Sequence, residues 1–453
     1  MDILITIARG ALGVAAFIGI AFAFSSNRRA VDWKLVRTGL FLQLVIAIVV
    51  IKVGPVRTVF EFISGFFVKV TDFTKEGTGL VFGWLTHIPS GGEHILLRGT
   101  DPATGEIVNI GTFAPAFAIT ILPTIIFFAA ITAMLYYFGI LQRVVYGFAW
   151  IMSKTMRLSG AESMSASANI FVGQTEAPLL VKPYLDKMTK SELLAIMIGG
   201  MATIAGGVMV VYIELLGGSD TESRVQFATH LLTKSIISAP AALVIAKILF
   251  PQEEEVNTDL MVSRDRFGAN VLDAICMGTS DGIKLAVNVG GMLIVFTALV
   301  AMFNYGLGDM FGEWTGLNGL VSSVTDGRYE QFTLQFVFGV IGAPLAWLVG
   351  IDHGNLMVSG QLFGERLVLN EFVAFFSMNQ MEADGTLTDP RTRVILTYAL
   401  CGFANIVSIG IQIGGIGSLA PEKRQELAKL GWRALLGGTL ACFIPACIAA
   451  VLI

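Results

Sequence analysis

The sequence predicts an all-α polytopic membrane protein, and three observations support this fold class. Of its 453 residues, 54% are hydrophobic and only 14% are charged, whereas a soluble domain carries about 25% charged residues. The charges lie in short patches between apolar runs that are long enough to cross a bilayer. Two other apolar regions, 161–187 and 335–383, fit poorly as single crossings because Gly and polar residues interrupt them.

Eight apolar segments fit single transmembrane helices. In chain order they are residues 3–24, 39–54, 113–137, 193–216, 227–250, 284–305, 391–414 and 432–453. The first lacks the basic start and the cleavage site of a secretory signal, so we expect it to be retained as a span. Residues 56–75 and 260–282 are predicted to form amphipathic or interfacial helices.

The distribution of Lys and Arg predicts the orientation in the membrane. Basic patches expected on the inner face include Arg28 and Arg29, and also Arg264 and Arg266. The connections 88–112, 217–224 and 306–333 are poor in Lys and Arg, as external loops should be. With eight spans, both termini then lie outside the cell.

The first interrupted region has a carboxylate at its centre. The stretch SANIFVGQTEAPLLV, residues 167–181, contains Gly173 to Glu176 followed by Pro178. A carboxylate at the bilayer centre costs roughly 2.5–3.5 kcal/mol, and an opened helix leaves backbone groups that lipid cannot satisfy. We therefore predict a re-entrant hairpin whose tip lines a polar cavity, where free carbonyls can hold a cation and free N–H groups can face a polar ligand. The alternative is that Glu176 serves as an internal helix cap or an ion-pair partner.

The second interrupted region repeats this arrangement with LNEFVAF, residues 369–375, which contains Glu371. The segment CGFANIVSIG places Asn405 and Ser408 three residues apart, on one helix face. A carboxylate, an amide and a hydroxyl together suit a ligand with vicinal hydroxyl groups. The alternative for Asn405 and Ser408 is hydrogen bonding between helices.

An internal repeat connects the two regions. GMATI at 200–204 matches GFANI at 402–406, and each follows a Glu-bearing interrupted segment and precedes one more span. Two similar halves with interrupted hydrophobic segments are typical of secondary transporters with an inverted repeat. We divide the chain into N-terminal scaffold helices (1–75), a first repeat (76–251) and a second repeat (252–453).

The motifs resemble those of the concentrative nucleoside transporter family. They are LPTIIFF (122–128), GQTEAPLLVKPYL (173–185), ATIAGGVM (202–209), NEFVAF (370–375) and GFANIVSIGI (402–411). With the loops between them, they cover most of the chain from about residue 77 onward. The eight-span length is similar to the bacterial branch, which implies a multi-pass protein of the inner membrane.

The resemblance implies sodium-coupled symport of nucleosides into the cell by alternating access. It implies a homotrimer in which each protomer has a scaffold and a mobile transport domain containing two re-entrant hairpins and two broken helices, the second of them broken at GFAN. The residues implied to face the nucleobase are Gln174, Thr175, Glu176 and Val208. Those implied to hold the ribose are Glu371, Asn405 and Ser408, with Phe403 in apolar contact. The implied sodium ligands are Asn169, Thr203 and the carbonyls of Val172 and Ile204.

Three positions depart from the usual family pattern. Phe375 stands where many members have Tyr, Arg366 replaces a more usual Lys, and Thr203 replaces Ser. Proton coupling through Glu176 or Glu371 is the alternative within the transporter class. The retained oxygens of Asn169 and Thr203 favour sodium.

Other function classes fit the sequence less well. A membrane-embedded enzyme would need a nucleophile–base pair or a metal cluster, and the four histidines are scattered. The four cysteines, Cys276, Cys401, Cys442 and Cys447, have no zinc or redox spacing and are predicted to be packing residues. Two closed hairpins favour alternating access over a passive channel.

We expect no cofactor besides Na⁺ as coupling ion. The expected partners are a nucleoside, membrane lipid and further copies of the chain, and no nucleic acid is expected.

Overall fold

The computed structural model describes residues 2–83, 95–100, 107–113, 117–218, 220–258, 260 and 268–453. The predicted basic patch at Arg264 and Arg266 lies outside these residues, as does most of the predicted external loop 88–112. Helices make up nearly all of the described structure, in agreement with the predicted fold class. A short antiparallel strand pair, β1 (Ile95–Thr100) and β2 (Ile107–Phe113), is the exception.

Ten α-helices lie in the described residues of the first half of the chain. They are α1 (Asp2–Ala23), α2 (Trp33–Lys52), α3 (Gly54–Phe82), α4 (Phe117–Thr120), α5 (Leu122–Tyr137), α6 (Ile140–Met156), α7 (Gly160–Ala168), α8 (Lys190–Ala202), α9 (Gly206–Gly217) and α10 (Thr221–Leu249). A 3₁₀ helix, Ala177–Lys187, lies between α7 and α8. It has prolines at Pro178 in its first turn and at Pro183 in its interior, and the missing N–H of Pro183 prevents a continuous α-helical hydrogen-bond ladder there.

Nine more α-helices lie in the described residues of the second half. They are α11 (Val271–Asn304), α12 (Glu313–Thr315), α13 (Leu317–Val324), α14 (Leu334–Val349), α15 (Leu356–Val368), α16 (Glu371–Ala383), α17 (Pro390–Leu400), α18 (Ile406–Leu419) and α19 (Arg424–Leu452). A π-helical turn, Tyr305–Gly312, connects α11 to α12. Three short 3₁₀ turns each precede a helix in the described chain. They are Arg28–Ala30 before α2, His353–Asn355 before α15 and Pro421–Lys423 before α19.

Seven helical segments of the described residues are long and apolar enough to cross a membrane. They are Leu4–Ala23, Trp33–Lys52, Ala118–Tyr137, Lys190–Gly217, Thr221–Leu249, Val271–Thr315 and Pro421–Leu452. Each overlaps one of the eight predicted spans. The remaining segment, 391–414, is interrupted between α17 and α18, and 193–216 is interrupted in the same way between α8 and α9. Both interruptions agree with the broken helices that the family resemblance implied.

One predicted boundary also differs from the structure. We expected a separate interfacial helix over 260–282 and a span from 284. The described part of this region instead forms one helix, α11, whose first turn is capped by the Asn270 side chain accepting from the N–H of Asp273. The polar start of this segment and its apolar continuation therefore belong to the same helix.

The internal repeat appears as the same order of elements in both halves. In the first half, α7 and the 3₁₀ helix pack together, followed by the broken pair α8–α9 and by the 29-residue α10. In the second, α15 and α16 pack together, followed by the broken pair α17–α18 and by the 29-residue α19. The matching motifs GMATI and GFANI both lie at the breaks.

The two breaks touch each other in the interior. The N–H of Phe403 donates to the carbonyl of Thr203 at 3.3 Å. Gly402 has φ +155° and lies so close to the other break that an added Cβ would be 3.0 Å from the Met201 carbonyl oxygen and 2.6 Å from Cys442 Sγ. Only glycine meets both conditions, because L side chains rarely adopt this φ.

The repeat helices α8, α10 and α19 form the buried centre, whereas α11 is mostly exposed. A buried ion pair, Lys247 Nζ to Glu162 Oε2 at 2.7 Å, connects α10 to the first turn of α7. Cys401, Cys442 and Cys447 are buried, as predicted for packing residues, but Cys276 on α11 is exposed.

Candidate functional site

The loop after α7, the start of α16 and the two helix breaks surround one cavity. Its volume is about 170 Å³, whereas a single water needs only about 10–15 Å³ on the same measure. All eight residues that the sequence analysis assigned to a nucleoside line it. They are Gln174, Thr175, Glu176, Val208, Glu371, Phe403, Asn405 and Ser408.

The opposite wall of the cavity is apolar and comes from α11. Leu285, Val289 and Leu293 lie one turn apart on the same face of this helix and line the cavity together with Met292. This wall cannot be recognised from the sequence, because apolar residues on a spanning helix are equally typical of a surface that faces lipid.

Glu371 is the best-defined polar group of the site. It begins α16, whose N-terminus is capped by Asn370 accepting from the N–H of Val373 at 2.9 Å. The Tyr212 hydroxyl donates to Glu371 Oε1 at 2.9 Å, and Asn405 Nδ2 donates to Oε2 at 3.1 Å. Since a carboxylate has about four acceptor positions, two remain for hydroxyl groups of a ligand.

Asn405 and Ser408 take part in hydrogen bonds between elements, as the alternative interpretation of their spacing predicted. Asn405 caps α18 by accepting from the Ser408 N–H at 2.8 Å while its amide reaches Glu371. Ser408 Oγ accepts from Gln174 Nε2 at 3.2 Å. These bonds also aim both side chains at the cavity, so packing and ligand contact do not exclude each other.

Gln412 fixes the orientation of Gln174. Its amide donates to Gln174 Oε1 at 3.1 Å and to the Met197 carbonyl at 2.9 Å. Neither Gln412 nor Tyr212 was predicted from the sequence. Each follows a predicted site residue by four positions, Ser408 and Val208 respectively, so one more turn along the same helix face would have indicated them.

The loop that contains GQTE packs directly against glycines. A Cβ at Gly200 would lie 2.8 Å from the Gln174 Cβ and 2.8 Å from Gln412 Nε2. A Cβ at Gly415 would lie 2.7 Å from Thr175 Cγ2. The Glu176 carboxylate folds over Gly173, and this side chain is exposed toward the cavity.

We expect Gly200→Ala to weaken nucleoside binding by about tenfold. Alanine is a better helix former than glycine by roughly 1 kcal/mol, so α8 itself should not suffer, and a loss would come from displacement of Gln174. Isothermal titration of the purified protein with uridine measures the change. Gly207→Ala in α9 is the matched control, since its nearest neighbour would be an ordinary 3.7 Å contact. Equal effects of both substitutions would contradict the steric account.

The four residues assigned to sodium lie beside the cavity and are buried. Asn169 is 0% exposed, Val172 8%, Thr203 1% and Ile204 1%. Neither Oδ1 nor Nδ2 of Asn169 has a hydrogen-bond partner among the described residues. The carbonyl oxygens of Val172 and Ile204 accept no backbone hydrogen bond from any residue that the structure describes.

This donor set fits a small hard cation. Thr203 Oγ1 donates to the Gly199 carbonyl at 2.9 Å, which leaves the lone pairs of the hydroxyl for a metal ion. A Cβ on Gly199 would lie 3.3 Å from Asn169 Nδ2, so the side chain of Asn169 reaches the same turn of α8. Buried oxygen atoms without partners are costly unless an ion satisfies them.

Two of the residues that depart from the usual family pattern, Phe375 and Arg366, lie in the protein core. Phe375 packs its ring against Tyr212 at 4.5 Å between centroids, so it supports the phenol that donates to Glu371. Arg366 is 0% exposed and donates to the Ala399 carbonyl at 2.5 Å.

Comparisons with known proteins identify the family. Residues 230–450 match the family profile described as Na⁺ dependent nucleoside transporter C-terminus, residues 12–85 match the N-terminus, and residues 118–219 match nucleoside recognition. An uncharacterized transporter of Haemophilus influenzae is 38% identical over 448 residues, which cover 98% of this chain and 97% of that protein. The chain belongs to the concentrative nucleoside transporter family.

Solved structures of this family share the fold. CNTnw in an inward-facing substrate-bound state is 33% identical and superposes with a TM-score of 0.82, covering 98% of both chains. A CNTnw variant in an outward-facing state gives a TM-score of 0.81 at 32% identity, covering 98% of this chain and 97% of the other. Mouse sodium/nucleoside cotransporter 1 is 33% identical, and the match covers 97% of this chain and 63% of that protein. As a member of this transporter family, the protein is a membrane transporter and not an enzyme.

Proposed function

We propose that this concentrative nucleoside transporter is a sodium-coupled symporter that accumulates nucleosides in the cell by alternating access. The observation that carries the proposal is the meeting of all eight predicted nucleoside-contacting residues in one cavity. The cavity lies next to the buried Asn169 side chain, which has no hydrogen-bond partner in the described part of the chain. The family profiles and the CNTnw structures in inward-facing and outward-facing states support the transport cycle.

We assign the ribose to the Glu371 side of the cavity. The carboxylate accepts from two adjacent hydroxyl groups, Asn405 and Ser408 orient it and add polar contacts, and Phe403 covers the sugar ring. The nucleobase lies against Gln174, Thr175 and Glu176, with Val208 and the apolar wall of α11 on its faces. This arrangement matches a ligand with one strongly polar end and one flat, largely apolar end.

Sodium binds between the end of α7 and the break after α8, with Asn169, Thr203 and the carbonyls of Val172 and Ile204 as ligands. Each Na⁺ that moves inward gains roughly 2.3 kcal/mol per 100 mV of membrane potential, besides its concentration gradient. The hydrogen bond from Phe403 to the Thr203 carbonyl joins the ion site to the nucleoside site. An ion that orders Thr203 thereby helps to hold Phe403 in place.

The remaining assignments follow from the family. The two packed arms of each repeat are re-entrant hairpins, α7 with the 3₁₀ helix and α15 with α16, and together with the broken helices they form the mobile transport domain. Eight spans, counting the broken α17–α18, complete the fold in a homotrimer of the bacterial inner membrane, where lipid contacts the exposed apolar helices.

Uptake of radiolabelled uridine into proteoliposomes tests the proposal. An inward Na⁺ gradient should drive accumulation above the external concentration, whereas an inward H⁺ gradient alone should not. Accumulation with protons alone would assign the coupling to Glu176 or Glu371 instead of the sodium ligands. Uptake that never exceeds the external concentration would indicate a passive channel, and no uptake under either gradient would contradict the substrate class.

A further inference from the structure

Lys234 is a buried cation without a carboxylate partner among the described residues. It lies in the middle of α10 and is 0% exposed. Its Nζ donates to the Ala202 carbonyl at 2.5 Å and lies 3.7 Å from Cys442 Sγ. Lys247, the other buried lysine of α10, instead forms the ion pair with Glu162.

The carbonyl that Lys234 binds belongs to the last residue of α8. Cys442 Sγ contacts this carbonyl at 3.6 Å and also the Cys401 carbonyl, at the end of α17, at 3.6 Å. The ammonium group is therefore close to the place where the first halves of both broken helices end. Such ends carry the negative pole of the helix dipole and free carbonyl groups.

The first half-helix of the second repeat also ends against a basic side chain, which comes from the hairpin helix α15. Arg366 donates to the Ala399 carbonyl in the last turn of α17 and lies over the Phe443 ring at 5.2 Å. Both first half-helices thus end against a basic side chain that is 0% exposed. The two side chains come from elements that are not equivalent in the repeat, α10 and α15, so each half-helix end meets its own basic group.

Half-helix ends and opened backbone carbonyls are also where transporters hold their coupling ions. The ammonium group of Lys234 and the proposed Na⁺ contact adjacent residues, since Ala202 directly precedes the proposed sodium ligand Thr203. A mobile ion could not bind the Ala202 carbonyl while the ammonium group occupies it, because two cations in van der Waals contact repel strongly in a buried site.

We propose that Lys234 is a tethered cation that occupies the position of a second coupling ion, so that a single Na⁺ accompanies each nucleoside. The inference rests on the proposed sodium-coupled symport. Lys234 is a positioning residue in this scheme: it holds the end of α8 without being transported, and it limits the number of charges moved in each cycle.

Reversal potentials of uridine flux in proteoliposomes count the charges moved for each nucleoside. We expect about one charge for the natural protein and about two for Lys234→Ser, which frees space and adds an oxygen ligand for a second Na⁺. Lys234→Met removes the charge but fills the space, so it should remain at about one. Lys247→Met is the matched control for loss of a buried lysine from α10 and should not change the count.

A thermal-unfolding titration of detergent-purified protein provides a second measurement that does not depend on transport. The Na⁺ dependence of Tm, compared with choline, should have a Hill coefficient near one for the natural protein and Lys234→Met, and near two for Lys234→Ser. A Lys234→Ser protein that needs Na⁺ to remain folded would also support a second ion site.

Three results would overturn the inference. They are a count of two charges for the natural protein, an unchanged count and Hill coefficient for folded Lys234→Ser, and a Lys234→Ser protein that Na⁺ does not stabilise. If the natural protein shows no Na⁺-driven uptake, the proposed function fails. The unfolding titration of Lys234→Ser then still decides whether the lysine occupies a cation site.

Discussion

Replacing Glu371 with glutamine is expected to lower nucleoside affinity at least about 100-fold, because a hydrogen bond to a charged group contributes about 1.5–3 kcal/mol and two such bonds to the ribose would be lost. The substitution also disturbs the donors already in place. Tyr212 and Asn405 donate to different oxygens of the carboxylate, and an amide can accept on only one side. One donor would therefore face the new NH₂ group.

Binding of uridine, measured by isothermal titration, and uptake under a Na⁺ gradient both report this loss. The matched control is Glu365→Gln, because Glu365 is a buried carboxylate of the neighbouring α15 that accepts from Gln361 and does not line the cavity. Affinity of Glu371→Gln within threefold of the natural protein, or an equal loss in Glu365→Gln, would remove Glu371 from the ribose site.

Asn169→Ala is expected to raise the half-saturating Na⁺ concentration by about 10- to 100-fold, the effect of losing one charge-assisted contact of about 1.5–3 kcal/mol. Accumulation under a moderate Na⁺ gradient should disappear. The fold should tolerate the change, since the Asn169 side chain has no hydrogen-bond partner among the described residues.

The Na⁺ dependence of uridine uptake measures this effect, and Ser359→Ala provides the control. Ser359 Oγ is likewise buried and unpartnered within the described chain, but it lies in α15 of the other repeat. If Asn169→Ala keeps its Na⁺ dependence, the proposed cation site is wrong even if the nucleoside cavity is correct.

The spans were predictable because their signal is local. A run of apolar residues must be buried in lipid or protein whatever its neighbours are, and Gly and polar residues within such a run indicate an interruption. Hydropathy averaged over a window does not register the short breaks at Thr203–Ala205 and Cys401–Asn405, so 193–216 and 391–414 both read as single spans by that measure. The pairing of GMATI with GFANI did indicate that the two positions are structurally equivalent.

The site was only partly predictable from the residues alone. Spacing along one helix indicated Asn405 and Ser408, and the cost of a buried carboxylate indicated Glu176 and Glu371. The other ligand assignments depended on the family resemblance. Contacts between distant segments, such as Lys234 to the Ala202 carbonyl or α11 to the cavity, depend on tertiary packing and leave no periodic signal in the sequence.

The charges around the cavity have a metabolic consequence. Among its described lining residues, Glu176 and Glu371 are carboxylates and none is Lys or Arg. A nucleotide would bring its phosphate, with a charge of about −1.5 to −2, next to these carboxylates with no cation to receive it. Under the proposed function, the cavity would therefore accept nucleosides and reject nucleotides, so that a nucleotide would have to lose its phosphate before transport.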